Sequence, residues 1–156
     1  MKSRMKMSKI LKDGFHDMNE CLSHFSFEPV QEKTFADCTT HFANVRKVLP
    51  HYVPISICGK TPEGWNGLEY RRLAPKWWFF MEWKENHDDG LYAKRFRKEV
   101  LDALNPHDVW RDLRNMSDGS PFALVCHEKP NRFCHRHLVS EWFRKAGYEI
   151  RELVWL

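Results

Sequence analysis

The sequence has no long apolar run. No segment approaches the roughly 20 consecutive apolar residues that a transmembrane helix requires. A basic stretch, MKSRMKMSKILKDG, opens the chain, but no apolar segment follows it, so we expect no signal peptide. We therefore predict a cytoplasmic protein that has no membrane partner.

A regular cysteine pattern is also absent. The chain has five cysteines, an odd number at irregular spacings. This argues against a disulfide framework and for a reducing compartment. No two of them form the C-x2-C pair that is common in structural zinc sites. The five are Cys21, Cys38, Cys58, Cys126 and Cys134.

Strong charge, internal repeats and low-complexity segments are missing as well. The formal net charge of +4 permits contact with phosphates but is far below that of a dedicated nucleic-acid binder. What the chain does have is 156 residues, of which 42% are hydrophobic and 14% aromatic. That is enough for one domain with a packed core.

The chain divides at about residue 33. Residues 1–33 carry apolar side chains at rough helical spacing, interrupted by Gly14 and Pro29, and predict an N-terminal extension that is mainly helical. This extension either covers one side of the core, which we favour, or contacts a second copy of the chain. The oligomeric state stays open. Residues 34–156 make up the predicted α/β domain.

Buried strands alternate with amphipathic helices in this second part. Three helices are predicted: LYAKRFRKEVLDAL, a helix that begins at Pro106 with Asn105 as its cap, and one from Cys134 to Ala146 that Gly147 ends. The runs that read as strands are ADCTTHFANV (ending near Ala43), VPISICG, FALVC and IRELVW.

Three further segments are less regular. KTPEGWNG is a predicted loop, because its proline, glycines and Asn-Gly pair are turn formers. KENHDDG is predicted as an exposed turn. The tract LEYRRLAPKWWFFMEW has both helical and extended character, and the pattern does not separate them.

Short connections between strand, helix and strand predict a mostly parallel, Rossmann-like sheet flanked by helices. Ligands bind at the carboxyl ends of the strands in such sheets. Here those ends are Cys58-Gly59-Lys60 and Cys126-His127-Glu128. The sequence therefore predicts a functional site at this edge.

The segment LVCHEKPNRFCHRH places reactive side chains at the start of a helix. At about 100° per residue, His135 lies in the middle of the apolar stripe and faces the sheet, whereas His137 points toward water. Cys134 and Arg136 lie at the two edges of the stripe. The free amides and the dipole of a helix N-terminus favour an anion there and lower the pKa of a cysteine.

Plainer interpretations compete with a reactive site. Cys126 ends a core strand and could be structural, since cysteine is often buried. His135 could satisfy a backbone group, and Arg136 could pair with Glu128 as a structural latch. Zinc is a rival because cysteine and histidine are present in sufficient number, but the spacing is poor. We predict no metal and no cofactor.

Two other patterns point to ligands with less force. Cys126 and Arg132 match the C-x5-R spacing of cysteine phosphatases, but CHEKPNR has no glycine and contains Pro130, which has no N–H to donate, so we discount the match. The tract YRRLAPKWWFF could stack bases beside its basic residues, which leaves nucleic acid open as a partner. Four adjacent aromatics more often straddle a core and a surface.

The chain resembles a family known as domain of unknown function 488, whose members are small α/β proteins of bacteria, archaea and phages. The resemblance lies in ICGKTP, LAPKWWFFMEWK and above all ALVCHEKPNRFCHRHLVSEWFRKAGYEI, and it runs from about Thr34 to the C-terminus. It implies a site formed by a Cys-x-Glu-Lys strand end and a Cys-His-Arg helix start, and it discounts Arg132. It leaves the reaction open. The motif positions are Cys126, Glu128, Lys129, Cys134, His135 and Arg136.

These observations favour an enzyme that acts on a small phosphate-bearing ligand, such as a nucleotide or a modified base. Cys134 would be the nucleophile, His135 its base and Glu128 a general acid or base. The alternative is a non-catalytic, nucleic-acid-binding accessory protein in which the motif is a structural latch. The residues predicted to bind the ligand are Arg136, Lys129, Cys126 and Lys60.

Overall fold

The computed structural model describes residues 35–154 of the chain. They form an α/β unit around a five-stranded sheet in which every pairing is parallel. This confirms the predicted fold class, and the predicted extension lies outside the described residues. The strands are β1 (Cys38–His41), β2 (Val53–Ser56), β3 (Leu68–Glu69), β4 (Phe122–Cys126) and β5 (Arg151–Glu152).

Helices connect these strands, except β2 and β3, which a loop joins. The π-helical segment Arg97–Leu101 continues the third helix without a break, and short 3-10 turns cover Phe42–Asn44 and Arg71–Leu73. None of the helices within residues 35–154 is long and apolar enough to cross a lipid bilayer. The α-helices are α1 (Val45–Val48), α2 (Trp77–Asn86), α3 (Asp89–Phe96), α4 (Pro106–Met116) and α5 (His135–Lys145).

The predicted helix ends are confirmed where capping chemistry marks them. The Asn105 side chain accepts the backbone N–H of His107 at 2.9 Å, and Pro106 opens α4, where its missing N–H costs nothing. Cys134 is the extended residue that precedes α5. After this helix, Gly147 has a φ of 93°, a left-handed conformation that glycine adopts without strain.

The tract before residue 90 differs from its prediction. LEYRRLAPKWWFFMEW divides into β3, a 3-10 turn and most of α2, which explains its mixed character. The predicted turn over KENHDDG is wrong for residues 84–86, where α2 continues, and for residues 89–90, which begin α3. The break falls at His87, which has a φ of 52°, and the Asp88 carboxylate then caps α3 by accepting the Leu91 N–H at 2.9 Å.

The order of the strands along the sheet is β3-β2-β4-β1-β5. The last strand therefore pairs with β1 and not with β4, the strand that precedes it in the chain. This crossover brings Glu152 opposite Thr39. It also lets the first turn of α5 contact both sides of the sheet centre: His135 bonds the Ile57 carbonyl after β2, and Arg136 bonds Glu152 of β5.

One large apolar core is formed by residues of the sheet and of α2 to α5. Each fully buried phenylalanine or isoleucine contributes about 1.5–3 kcal/mol relative to exposure to water. Strand β4 is buried along its whole length, as the run FALVC predicts. The largest apolar side chains that are fully buried include Phe79, Phe96, Phe122, Phe143, Ile55, Ile57, Leu73, Leu113, Leu124 and Ile150.

Candidate thiol site at the carboxyl edge of the sheet

A cleft of about 1010 Å³ opens at the carboxyl ends of β2 and β4. The turn after β2, Cys58-Gly59-Lys60, lines one part of it, and Cys126-His127-Glu128 lines another. Cys134 and His135 at the start of α5 also line it. Two neighbouring parallel strands thus end at one pocket, as the fold predicts.

Two thiols and one imidazole lie together in this cleft. The sulfurs of Cys126 and Cys134 and a ring nitrogen of His135 lie within 4.8 Å of one another. All three side chains are buried, and Cys58 packs against the two cysteines. The strand end supplies Cys126 and the helix start supplies Cys134, so the loop between them brings the two sulfurs together.

Hydrogen bonds fix the orientation of the His135 ring. Its Nε2 lies 2.9 Å from the Ile57 carbonyl oxygen, which can only accept, so Nε2 carries the proton and donates it. Its Nδ1 lies 3.7 Å from the Cys126 sulfur. In the neutral ring Nδ1 is then an acceptor, available for a thiol proton. His135 therefore faces the sheet, where helix geometry predicts it.

The turn after β2 is tied to the loop after β4. The carbonyl oxygen of Lys60 accepts a hydrogen bond from Nε2 of His127 at 2.7 Å. The Cys58 thiol donates to the same oxygen at 3.1 Å and also lies 3.1 Å from the Ser56 hydroxyl. These contacts fix the turn after β2 against the loop after β4, next to the thiols.

The two thiols differ in protonation. The Cys126 thiol donates a hydrogen bond to the Cys134 sulfur, and with His135 and Arg136 nearby it holds the pKa of Cys134 well below its ordinary value, despite burial. The same hydrogen bond, together with burial, raises the pKa of Cys126 well above its ordinary value. The proton is therefore held more tightly by Cys126 than by Cys134, and Cys134 is the thiol that ionises more readily. Burial likewise raises the pKa of Cys58.

The predicted contact between Arg136 and Glu128 is wrong. The Arg136 side chain is fully buried and binds Glu152 on β5, with Nη2 2.9 Å from Oε1 and Nε 3.2 Å from both carboxylate oxygens. Thr39 donates to the same carboxylate. Arg136 is not among the residues that line the cleft, so its geometry does not fit the predicted role in binding the ligand. Its Nη1 has no hydrogen-bond partner among the described residues.

The remaining predicted residues lie at the mouth of the cleft or beside it. Glu128 and Lys60 are exposed and line the cleft. Lys129 is exposed and lines an adjoining depression of about 630 Å³, together with Arg132. His137 is half-buried, with Nδ1 3.9 Å from Glu152 Oε2, so the prediction that it faces water is only partly right.

An aromatic wall on the cleft is the feature that sequence analysis missed. The aromatic tract YRRLAPKWWFF lies far from the thiols in the sequence, so the sequence does not indicate that its side chains lie near them in space. Residues of this wall pack edge-to-face and in stacks, with ring centres 5.2 Å apart for Tyr92 and Phe133 and 6.4 Å apart for Phe80 and Trp83. The wall consists of Trp77, Phe80, Trp83, Tyr92 and Phe133.

Among residues 35–154, Cys126, Cys134 and His135 are the one group with the spacing to hold a metal ion. Three donors are one fewer than a closed structural zinc site uses. Two cysteines and one histidine do match the ligand set of a catalytic zinc site, so elemental analysis of the purified protein is the test of this prediction. We interpret the group as a thiol site on the sulfur and imidazole contacts alone, and the absence of zinc stays a prediction.

Comparison with known families supports the resemblance seen in the sequence. A family model described as "Active DUF488-N3 subclade" matches residues 39–147, from β1 to the glycine that follows α5. The match is somewhat shorter than the resemblance and contains both thiols, His135 and Arg136, but not Glu152. No curated protein and no solved structure matches the chain.

Proposed function

The chain belongs to the DUF488 family, and we propose that it is a cysteine-dependent enzyme acting on a small ligand that carries an anionic group, such as a nucleotide or a modified base. The observation that carries this proposal is the convergence of Cys134, Cys126 and His135 in one cleft. The description of the matched subclade as active agrees with it.

Cys134 is the nucleophile in this proposal. A thiolate attacks far faster than a thiol, and the hydrogen bond from Cys126 and the proximity of His135 favour the thiolate. His135 orients the pair through its bond to the Ile57 carbonyl and offers Nδ1 as a proton acceptor. The helix N-terminus at Cys134 adds partial positive charge at the point where a negative charge would develop on the ligand.

The cleft wall suits a ligand that combines a planar ring with negative charge. Rings stack on aromatic side chains, and Trp77, Phe80 and Trp83 supply such surfaces. Lys60 and Arg71 line the same cleft and can attract phosphate, although Arg71 is already paired with Glu69. A nucleotide has both features, and this is why we favour it.

Glu128 is the group we assign to proton transfer at the mouth of the cleft. Its carboxylate makes no hydrogen bond or ion pair with other described residues, so it is available to a ligand. Lys129 lies next to it, and with Arg132 it extends the positive charge into the adjoining depression. A polyphosphate longer than the main cleft would lie across these two residues.

A thermal-shift screen with nucleoside monophosphates and inorganic phosphate tests the ligand class. Saturation at 100 times Kd stabilises a protein by about 2.7 kcal/mol, and each kcal/mol raises the Tm of a chain of this size by about 2–4 °C. We expect a nucleotide to raise the Tm more than phosphate does, and Lys60→Ala to weaken that shift.

The exposed Lys98 lies outside the cleft, so Lys98→Ala is the matched control and should leave the shift unchanged. A Tm that no nucleotide or phosphate changes would contradict the proposed ligand class. A shift that Lys98→Ala reduces as much as Lys60→Ala would contradict its location.

Nucleic-acid binding without catalysis is the second candidate, and the exposure of two tryptophans favours it. Trp77 is 72% and Trp78 47% exposed, and Arg95 stacks on Trp78 with 4.6 Å between the guanidinium carbon and the ring centre. Single-stranded oligonucleotides that quench tryptophan fluorescence, with binding lost in Trp77→Ala and kept in Cys134→Ser, would support this role.

A further inference from the structure

The two thiols of the cleft have the geometry of a redox pair. Their sulfurs lie within 4.8 Å of each other, and both thiols belong to one buried cluster. The loop between them is short, with seven residues separating Cys126 from Cys134 in the sequence. A disulfide joins its sulfurs at roughly 2.05 Å, so rotation of the two side chains has to shorten the separation between the sulfurs.

The two thiols have different pKa values and therefore different roles. Cys134 ionises more readily than Cys126 and therefore attacks first, while Cys126 holds its proton more tightly. Nδ1 of His135 lies 3.7 Å from the Cys126 sulfur and can take that proton when Cys126 reacts in its turn. A second thiol with its own base next to the first is the arrangement that resolves an oxidised cysteine.

The cleft gives a small oxidant a route to the pair. Both cysteines line it, yet each is only 4% exposed. A hydroperoxide is small enough to reach the sulfurs, while the surrounding side chains keep Cys134 close to Cys126 and away from a second protein molecule. Reaction inside the pair is therefore favoured over cross-linking between chains.

Cys58 does not fit the role of the second thiol. It packs in the same cluster, but its thiol is already committed to the Lys60 carbonyl oxygen and the Ser56 hydroxyl, both at 3.1 Å. It is also not a member of the group of donor atoms formed by Cys126, Cys134 and His135. Cys58 is therefore the matched control for any test of the pair.

We propose that Cys126 is the resolving cysteine of Cys134, and that a hydroperoxide converts the pair into a reversible intramolecular disulfide. This rests on the reactivity of Cys134 in the proposed function. Attack by the Cys134 thiolate breaks the O–O bond, forms the sulfenic acid and releases an alcohol, or water from hydrogen peroxide, once the leaving oxygen takes up a proton. Cys126 then loses its proton to His135 and attacks the Cys134 sulfur, the S–O bond breaks, and the oxygen leaves as water with that proton. The two thiols lose two electrons and the peroxide gains them.

The test treats the fully reduced chain with hydrogen peroxide, alkylates the remaining thiols in denaturant and maps the peptides by mass spectrometry. We expect a Cys126–Cys134 cross-linked peptide that dithiothreitol removes. Cys58→Ser should give the same peptide. In Cys126→Ser we expect sulfenic acid at Cys134, trapped by dimedone, followed by sulfinic acid that dithiothreitol does not reverse.

The wild-type chain alone can overturn the inference. Sulfenic or sulfinic acid at Cys134 without a disulfide would refute the resolving role and leave the nucleophile intact. A disulfide that joins Cys134 to Cys58 would refute the choice of partner. Thiols that resist both peroxide and alkylation because one zinc per chain is retained, as elemental analysis would show, would refute the pair and the proposed nucleophile together.

Discussion

At the scale of single residues, the reactivity of Cys134 depends on its neighbour more than on its own surroundings. Burial alone would raise the pKa of this thiol, as it does for Cys58. The hydrogen bond from Cys126 is the largest influence in the opposite direction, and His135 and Arg136 add to it. A hydrogen-bond donor at position 126 therefore stabilises the buried thiolate form of Cys134.

This dependence predicts how position 126 controls the rate of alkylation at position 134. Cys126→Ala removes the donor, so we expect the pKa of Cys134 to rise and its alkylation at pH 7 to slow, by at most about tenfold for each unit that the pKa rises above 7. Cys126→Ser keeps a hydroxyl donor and should retain more of the rate. The measurement is the rate of iodoacetamide labelling at Cys134, followed by peptide mass spectrometry. Equal rates in wild type and Cys126→Ala would contradict this account.

For single residues, the sequence predicts the direction of a side chain where helix geometry determines it. The position of His135 in the apolar stripe of α5 correctly predicts that it faces the sheet. The partner of Arg136 could not be predicted in this way, because Glu152 reaches it only through the pairing of β5 with β1. The order of strands in a sheet is a long-range property that local spacing does not contain.

At the scale of secondary-structure elements, α5 is fixed to the sheet by a buried ion pair. Arg136 is fully buried and Glu152 is 18% exposed, while Thr39 occupies one carboxylate oxygen. Removing one partner from such a pair leaves a buried charge without compensation. The pair therefore joins the first turn of the helix that carries Cys134 to the last strand of the sheet.

We predict that Arg136→Ala lowers the free energy of unfolding by about 3–5 kcal/mol, the usual cost of breaking a buried pair. Arg97→Ala is the matched control, because its pair with Glu141 is 49% and 40% exposed and should contribute less than about 1 kcal/mol. Urea denaturation monitored by circular dichroism measures both. A loss for Arg136→Ala no larger than that for Arg97→Ala would show that this pair does not hold α5 in place.

Elements were predictable from the sequence where one signal dominated. The all-apolar run FALVC gave a fully buried strand, and Asn105 with Pro106 gave the start of α4. The prediction for the tract before residue 90 was incomplete, because aromatic residues suit both a strand and a helix. Tertiary packing decides between the two. There α2 forms, and three of its aromatic residues line the cleft.

At the scale of the whole molecule, the parallel sheet explains why chemistry distant in sequence meets at one edge. The turn after β2, the loop after β4 and the start of α5 all lie at carboxyl ends of strands. The α/β pattern of the sequence predicts a functional site at this edge of the sheet. It could not predict that α2 and Phe133 would supply an aromatic wall, since no local rule says which helix closes a cleft.

Every chemical step proposed for the cleft depends on Cys134 as its reactive thiol. The most direct measurement is the alkylation rate of each cysteine between pH 5 and pH 9, resolved by peptide mass spectrometry. Because the pKa of Cys134 is lowered, its labelling should reach its maximal rate at a lower pH than that of any other cysteine, and it should be the fastest at pH 7. Cys58 and Cys126 should lag, since their pKa values are raised. Inert Cys134 with Cys21 or Cys38 labelled first would contradict the claim.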